Sequence, residues 1–223
     1  MSAQPRVGLL GGTFDPIHVG HLETASAARR SLQLDWVHVL TSNVPPHRAH
    51  QPAASSHHRF AMTALAVNGI DGLRASDIEL STPGPSYTAD TLTRFSRATG
   101  LAVPQIFFIT GADAFAEIET WHRYPEVLDL ANFIVVSRPG FAVQALGLRL
   151  PTLAGRMIDV DVNQPTARSQ TPGAINHSIF LVNATTPDVS SSDIRQRLLT
   201  RQSIAGLVPA TVERHIAQHG LYV

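Results

Sequence analysis

Short runs of apolar, often β-branched residues recur along the chain, each followed by a longer stretch with helical character. The runs fall at 7–10, 36–41, 73–78, 105–110 and 132–136, and the helical stretches at 21–32, 56–68, 87–97 and 112–119. The second of these helices opens on Ser55 or Ser56 as a cap and closes at Asn68-Gly69. Strands that alternate with helices predict an α/β fold: a doubly wound, mainly parallel sheet with helices on both faces. A sixth strand is expected at 179–183, followed by helices at about 190–200 and 209–218, the last ended by Gly220. From 141 to 178 the periodicity fades into Pro, Gly, Gln and Asn, which predicts a long surface excursion. No Ser/Gly-rich or charged linker divides the 223 residues, so one domain over 1–223 is expected.

In such a sheet the ligand lies beyond the strand C-termini, which makes the residues just after each strand the ones to inspect. They are Gly11-Gly12-Thr13, Thr41-Ser42-Asn43, Thr110-Gly111-Ala112-Asp113 and Ser137-Arg138-Pro139-Gly140. The first belongs to GGTFDPIHVGHL, residues 11–22, which reads as strand, glycine turn and helix entry. Adjacent glycines let a phosphate approach the backbone, and a helix start offers unpaired N–H groups and partial positive charge. His18 and His21, with Gly20 between them, are expected on one face of the first helical turn, with a gap that leaves room for a nucleotide. The pair lacks the i, i+4 spacing and adjacent Glu of a metalloprotease helix, so zinc is disfavoured. A structural role for the rings competes with a role as donors to a phosphoryl group, and the glycine turn favours the second.

Composition narrows the chemistry. The chain has 17 cationic and 17 anionic side chains, a formal net charge of zero that argues against a general nucleic-acid or membrane-surface protein. Every cation is Arg. A P-loop lysine or Schiff-base lysine is thereby excluded, and the absence of cysteine excludes disulfides, thiolate nucleophiles and Cys-based zinc sites. Phosphates must then be held by Arg, His and backbone N–H groups. The N-terminal apolar run is too short for a signal peptide and no segment is long enough to span a bilayer, so a cytoplasmic location is expected.

Three further constellations carry candidate chemistry. In Val189-Ser190-Ser191-Ser192-Asp193-Ile194-Arg195, Ser190 and Asp193 are spaced as a capping box. A well-capped surface helix would explain the serines. It would not explain Arg195, a cation in a first turn where the helix dipole opposes it unless an anion binds, so a polyphosphate site is the competing reading. Ser86-Tyr87-Thr88 and Trp121-His122-Arg123-Tyr124 hold aromatics that either pack in the core or bracket a flat heteroaromatic ring, its carboxylate meeting N–H groups near Thr88 and Ala89. Spacing alone favours the core. His47 and Arg48, after Pro45-Pro46, form a basic loop that is either a solvated turn or a lid for phosphates. His57, His58, His215 and His219 are read as surface or structural.

GGTFDPIHVGH resembles the N-terminal signature of the H-x-G-H nucleotidyltransferases, and VSSSDIR resembles their C-terminal I-S-S-T-x-x-R motif. With VPPHR, PSYTADTL, GAD, the Trp121 segment and SRPG in the same order, the chain is most similar to bacterial nicotinate-nucleotide adenylyltransferases, from Val7 to Val223 with a gap over 141–178. The resemblance implies a Rossmann-like fold and transfer of AMP from ATP to nicotinate mononucleotide, with Mg²⁺ held mainly by phosphates rather than by protein ligands. By position, it implies that His18 and His21 contact the ATP phosphates and that Ser191, Ser192 and Arg195 hold the β and γ end. It places Gly11, Gly12, Thr13 and Phe14 at the reaction centre and Gly111 and Asp113 on the adenosine side. Tyr87, Thr88, Ala89 and Trp121 would form the nicotinate pocket, with His47 and Arg48 on the mononucleotide. Ser192 stands where the family often has Thr, and Val19 where it often has a polar residue. Phosphopantetheine adenylyltransferase is the alternative within the enzymes, although its T-x-G-H differs at His18; a nucleotide-binding regulator without turnover is the alternative outside them. The partners implied are ATP and the mononucleotide, with no nucleic acid and no membrane, and a homo-oligomer is left open.

Overall fold

The computed structural model describes residues 4–46, 51–162 and 177–223. Among them, seven strands form one all-parallel sheet in the order β3-β2-β1-β4-β5-β7-β6. The strands are β1 (Val7–Gly12), β2 (Trp36–Thr41), β3 (Leu73–Ser76), β4 (Ile106–Gly111), β5 (Asn132–Val136), β6 (Met157–Val160) and β7 (Ile179–Val182). The helices are α1 (Val19–Leu32), α2 (Ser56–Val67), α3 (Thr88–Thr99), α4 (Ala112–Phe115), α5 (Leu146–Arg149), α6 (Ser191–Leu199) and α7 (Ala210–His219).

Strand alternation divides the core in two. Leu10, Phe107, Ile109, Ile134 and Val136 point to one face, where α1, α2 and α7 add Ala25, Ala28, Leu32, Met62, Val212 and Ile216. Leu9, Ile106, Phe108, Phe133 and Val135 point to the other, against Ala89, Leu92 and Phe95 of α3. Neighbouring positions on one strand thus serve opposite layers, as a sheet covered on both faces requires. After β1 the chain builds outward through β2 and β3, then returns to place β4 on the other side of β1. That reversal opens a crevice at the C-terminal ends of β1 and β4, and the glycine turn lies in it.

Two expectations need correction. The stretch expected as a surface excursion contributes to the core: Val143, Leu146, Leu150 and Leu153 are buried in the second layer, and β6 pairs with β7 at Met157 and Ile179. The helical turns here are short, at Leu146–Arg149 and Pro151–Arg156, and contain Gly147, Pro151 and Gly155, so they show no sustained period, which is why the pattern faded there. The helix expected at 112–119 is only the short α4, followed by a 3-10 turn at Ile118–Thr120.

Candidate active site

The glycine turn leaves β1 and enters α1 through His18, which is extended (φ −144°, ψ 172°) and stands before the first helical residue. Its ring folds over the helix start and stacks on His21, with centroids 3.7 Å apart and planes inclined 26°. The expected gap between two helical imidazoles is therefore absent: His18 is a cap rather than a first-turn residue, and the rings touch. The His18 backbone N–H donates to His21 Nδ1 at 3.3 Å, leaving Nε2 as the protonated nitrogen of that ring. Phe14 meets His21 edge-on at 4.9 Å.

The glycines have steric reasons. A Cβ on Gly12 would lie 2.5 Å from the Phe14 ring, and one on Gly20 3.1 Å from the His18 ring. Phe14 itself sits at φ +51°, in the left-handed region that costs a bulky residue energy and makes such positions functional candidates. Burial, followed by the nearby Arg138 guanidinium, lowers the His18 pKa to about 4. At neutral pH His18 is an uncharged ring.

The start of α6 reaches the same place from the other end of the chain. Ser191 Oγ donates to the Pro16 carbonyl at 2.9 Å, while Arg195 donates to the Asp15 carbonyl at 2.8 Å and to Ser192 Oγ at 3.3 Å. Ser190 accepts the Asp193 N–H at 3.0 Å, but the Asp193 carboxylate turns forward to Arg197 Nε at 2.8 Å, so the capping box forms by half. Arg195 is thus held across the glycine-turn segment. Gly111 ends β4 and precedes α4, where Asp113 lies 3.8 Å from Arg138.

Beside this cluster opens a cavity of about 500 Å³, within the range of small-ligand sites. Gly11, Gly12 and Thr13 form one end, and Tyr87, Thr88, Trp121 and His122 line it further on. Trp121 rests edge-on against the core ring of Phe108, centroids 6.0 Å apart, which fixes its orientation. Tyr87 stacks on His122 at 4.2 Å rather than opposing Trp121 alone, so both halves of the Trp121-His122 pair matter. No side chain caps α3, and its N–H bonds to the Tyr87 carbonyl start only at Asp90 and Thr91, leaving Thr88 and Ala89 as N-terminal donors without helical acceptors. His47 and Arg48 lie outside the described residues.

Three residues here act through long-range contacts that no local pattern announces. Asp15 is 1% exposed and accepts the N–H groups of Ala53 and Ala54 and the Tyr222 hydroxyl. Arg59, also buried, donates to the carbonyls of Thr13, Ser42, Asn43 and Ala54 at 2.7–3.2 Å, fastening three segments around the cavity. Glu79 lines the cavity and accepts the Thr91 hydroxyl at 2.7 Å. Burial raises its pKa despite hydrogen bonds from Thr91 and Ser86 and the charges of Arg94 and Arg59.

A model of the cytidylyltransferase-like family matches residues 9–197, a span holding both histidines, the cavity and the α6 motif. The chain belongs to that family. Within it, a "Probable nicotinate-nucleotide adenylyltransferase" of Desulfatibacillum aliphaticivorans is 40% identical over 98% of this chain and 100% of its own length. Another so named, from Pseudomonas fluorescens, is 41% identical over 97% of each. A solved Plasmodium falciparum nicotinic acid mononucleotide adenylyltransferase, complexed with APC, shares the fold with a TM-score of 0.72 over 98% of each chain at 18% identity. A protein this different in sequence thus shares the fold on which the crevice depends.

Proposed function

We infer that the chain is a nicotinate-nucleotide adenylyltransferase, transferring AMP from ATP to nicotinate mononucleotide to give deamido-NAD and pyrophosphate in NAD biosynthesis. One observation carries the site assignment: the stacked His18–His21 pair, the start of α6 and the Tyr87–Trp121 cavity all converge on the glycine turn. Phosphate-binding and ring-binding groups are contiguous, as joining a nucleotide to a mononucleotide requires.

The reaction needs no activated protein nucleophile, because the mononucleotide phosphate is already one. One of its oxygens attacks the α-phosphorus of ATP in line; the new P–O bond forms as the bond to pyrophosphate breaks, and the leaving group takes that electron pair. The protein's task is positioning and electrostatics. His21 donates from Nε2, and His18, kept neutral, serves as a hydrogen-bond donor rather than a cation. Arg195, Ser191, Ser192 and the α6 N-terminus receive the departing pyrophosphate. Gly11, Gly12, Thr13 and Phe14 shape the reaction centre, and Gly111 and Asp113 face the adenosine. Tyr87 and Trp121 flank the pyridine ring, with the N–H groups of Thr88 and Ala89 as donors for its carboxylate and His47 and Arg48 as partners for its phosphate.

The donors at the turn are imidazole, guanidinium, hydroxyl and backbone N–H, a set that suits anions. Mg²⁺ therefore fits as an ion carried on the ATP phosphates, where it offsets charge on the transferred group. A cysteine-free chain using ATP suits the cytoplasm.

Pyrophosphate release from Mg-ATP tests the reading, with nicotinate mononucleotide, its amidated analogue and phosphopantetheine run in parallel. Release with the first, well above the others, is expected. Release with phosphopantetheine alone would reassign the acceptor, and ATP binding without release from any would make the chain a nucleotide-binding regulator.

A further inference from the structure

On the face of the molecule built by α2 and α7, three histidines converge that the transferase site does not use. His58 Nδ1 lies 3.1 Å from His215 Nε2. The His219 ring is 4.4 Å from that of His215 and 4.8 Å from that of His58. One nitrogen from each ring fits within a group whose members all lie within 4.8 Å of one another.

The arrangement follows from simple geometry. His215 and His219 are four apart on α7, which puts both rings on one helix face, and His58 enters from the first turn of α2. Two nitrogens bound at 2.0–2.1 Å to one tetrahedral ion stand roughly 3.4 Å apart, so the His58–His215 separation is already near that of co-ligands. Three imidazoles have no carboxylate among the group and gain little by clustering for their own sake, since each protonation disfavours the next.

We propose that His58, His215 and His219 form a binding site for one divalent transition-metal ion of the zinc class, which clamps α2 to α7. Imidazole selects such ions over Mg²⁺ and Ca²⁺, which prefer oxygen, so the site is chemically separate from the ion that accompanies ATP. His219 is exposed, which leaves the fourth position open to water. The clamp joins two elements that support the reaction centre: α2 carries Arg59, which holds the Thr13 carbonyl, and α7 leads into Tyr222, which holds Asp15. Its role is structural and does not depend on which acceptor the transferase uses.

The test uses the untagged full-length chain, stripped with a chelator and titrated with Zn²⁺ by calorimetry and with Co²⁺ by visible absorption. One equivalent per chain is expected, with Co²⁺ bands of four-coordinate character. The Tm is expected to rise by roughly 5 °C or more when free Zn²⁺ is about 100 times Kd. His58→Gln, His215→Ala and His219→Gln should each lower affinity at least about tenfold, while His57→Ala, an exposed neighbour on α2, should not. His219→Gln changes an exposed helix end, so it keeps the test valid if a more buried variant unfolds. No stoichiometric binding, or binding that survives His215→Ala and His219→Gln, overturns the site.

Discussion

The hydroxyl of Tyr222, one residue from the end of the sequence, donates at 2.8 Å to the carboxylate of Asp15, which lies within the glycine-turn segment. The contact spans 207 positions. Burial, together with the Asp15 charge and this bond, raises the Tyr222 pKa, so the phenol stays a donor at every pH the fold tolerates. Tyr222→Phe deletes the bond while keeping the ring. Asp15 retains the N–H groups of Ala53 and Ala54, so a loss of about 1–2 kcal/mol is expected, a fall in Tm of roughly 2–8 °C for a chain of this size. Thermal melts of the two proteins at one pH provide the check; equal Tm values would mean that the C-terminus does not hold the turn.

His18 and His21 give separable outcomes. His21→Ala is expected to lower kcat by about a hundredfold or more, because it removes a donor that matters most as charge develops; near-normal turnover in a folded variant would take His21 out of the mechanism. His18 gives a pH signature. Its pKa falls from 6.5 to about 4, so the fold prefers the neutral ring. The resulting stability is complete above pH 6.5 and is lost as pH falls towards 4, a contribution of roughly 3 kcal/mol. Denaturant titrations over that range should show wild type losing stability faster than His18→Gln, which has no proton to gain.

The sheet and the glycine turn were legible because they are local. Strand periodicity fixes which face each side chain serves, and Gly11-Gly12 followed by His18 and His21 lies within a dozen residues. The supports were not legible, because each is long-range. Arg59 reads in sequence as an ordinary cation in the first turn of a helix, and nothing near it announces the carbonyls of Thr13 and Ser42. Asp15 and Tyr222 share no motif. The stacking of His18 on His21 depended on His18 being a cap, a distinction of one residue that helix-boundary reasoning does not reach. Edge strand β6 was missed because only one of its four residues, Val160, is buried, so it shows no apolar run like that of β7.

Arg59 is a positioning residue, and substitution should reveal it. Its guanidinium serves four carbonyls from three segments, a geometry that the three donors of one lysine ammonium cannot reproduce. Arg59→Lys is expected to lower stability by about 2–4 kcal/mol. It should also lower kcat/KM by roughly tenfold or more, mainly through KM, because the segments lining the cavity loosen while His18, His21 and Arg195 remain. Steady-state kinetics well below the variant's own Tm separate these effects. Unchanged KM values there would make Arg59 a stability residue only.

Glu79 places a titratable acid in a cavity assigned to an anionic mononucleotide. Burial raises its pKa, outweighing the hydroxyls of Thr91 and Ser86 and the charges of Arg94 and Arg59. A raised carboxyl pKa means that the folded state prefers the protonated form, so this contribution to stability is present at low pH and is lost as pH rises through the raised value. Ligand binding should follow the same titration: once Glu79 ionises, the cavity wall repels the mononucleotide and KM rises. Glu79→Gln keeps the shape and the hydrogen bond from Thr91 but removes the charge. Its KM for nicotinate mononucleotide should vary less with pH than that of wild type and lie about threefold or more below it where Glu79 is ionised, the two values converging as pH falls and wild-type Glu79 takes up its proton. Superimposable KM profiles for the two proteins would show that Glu79 does not face the bound mononucleotide, and would leave its protonation a matter of stability alone.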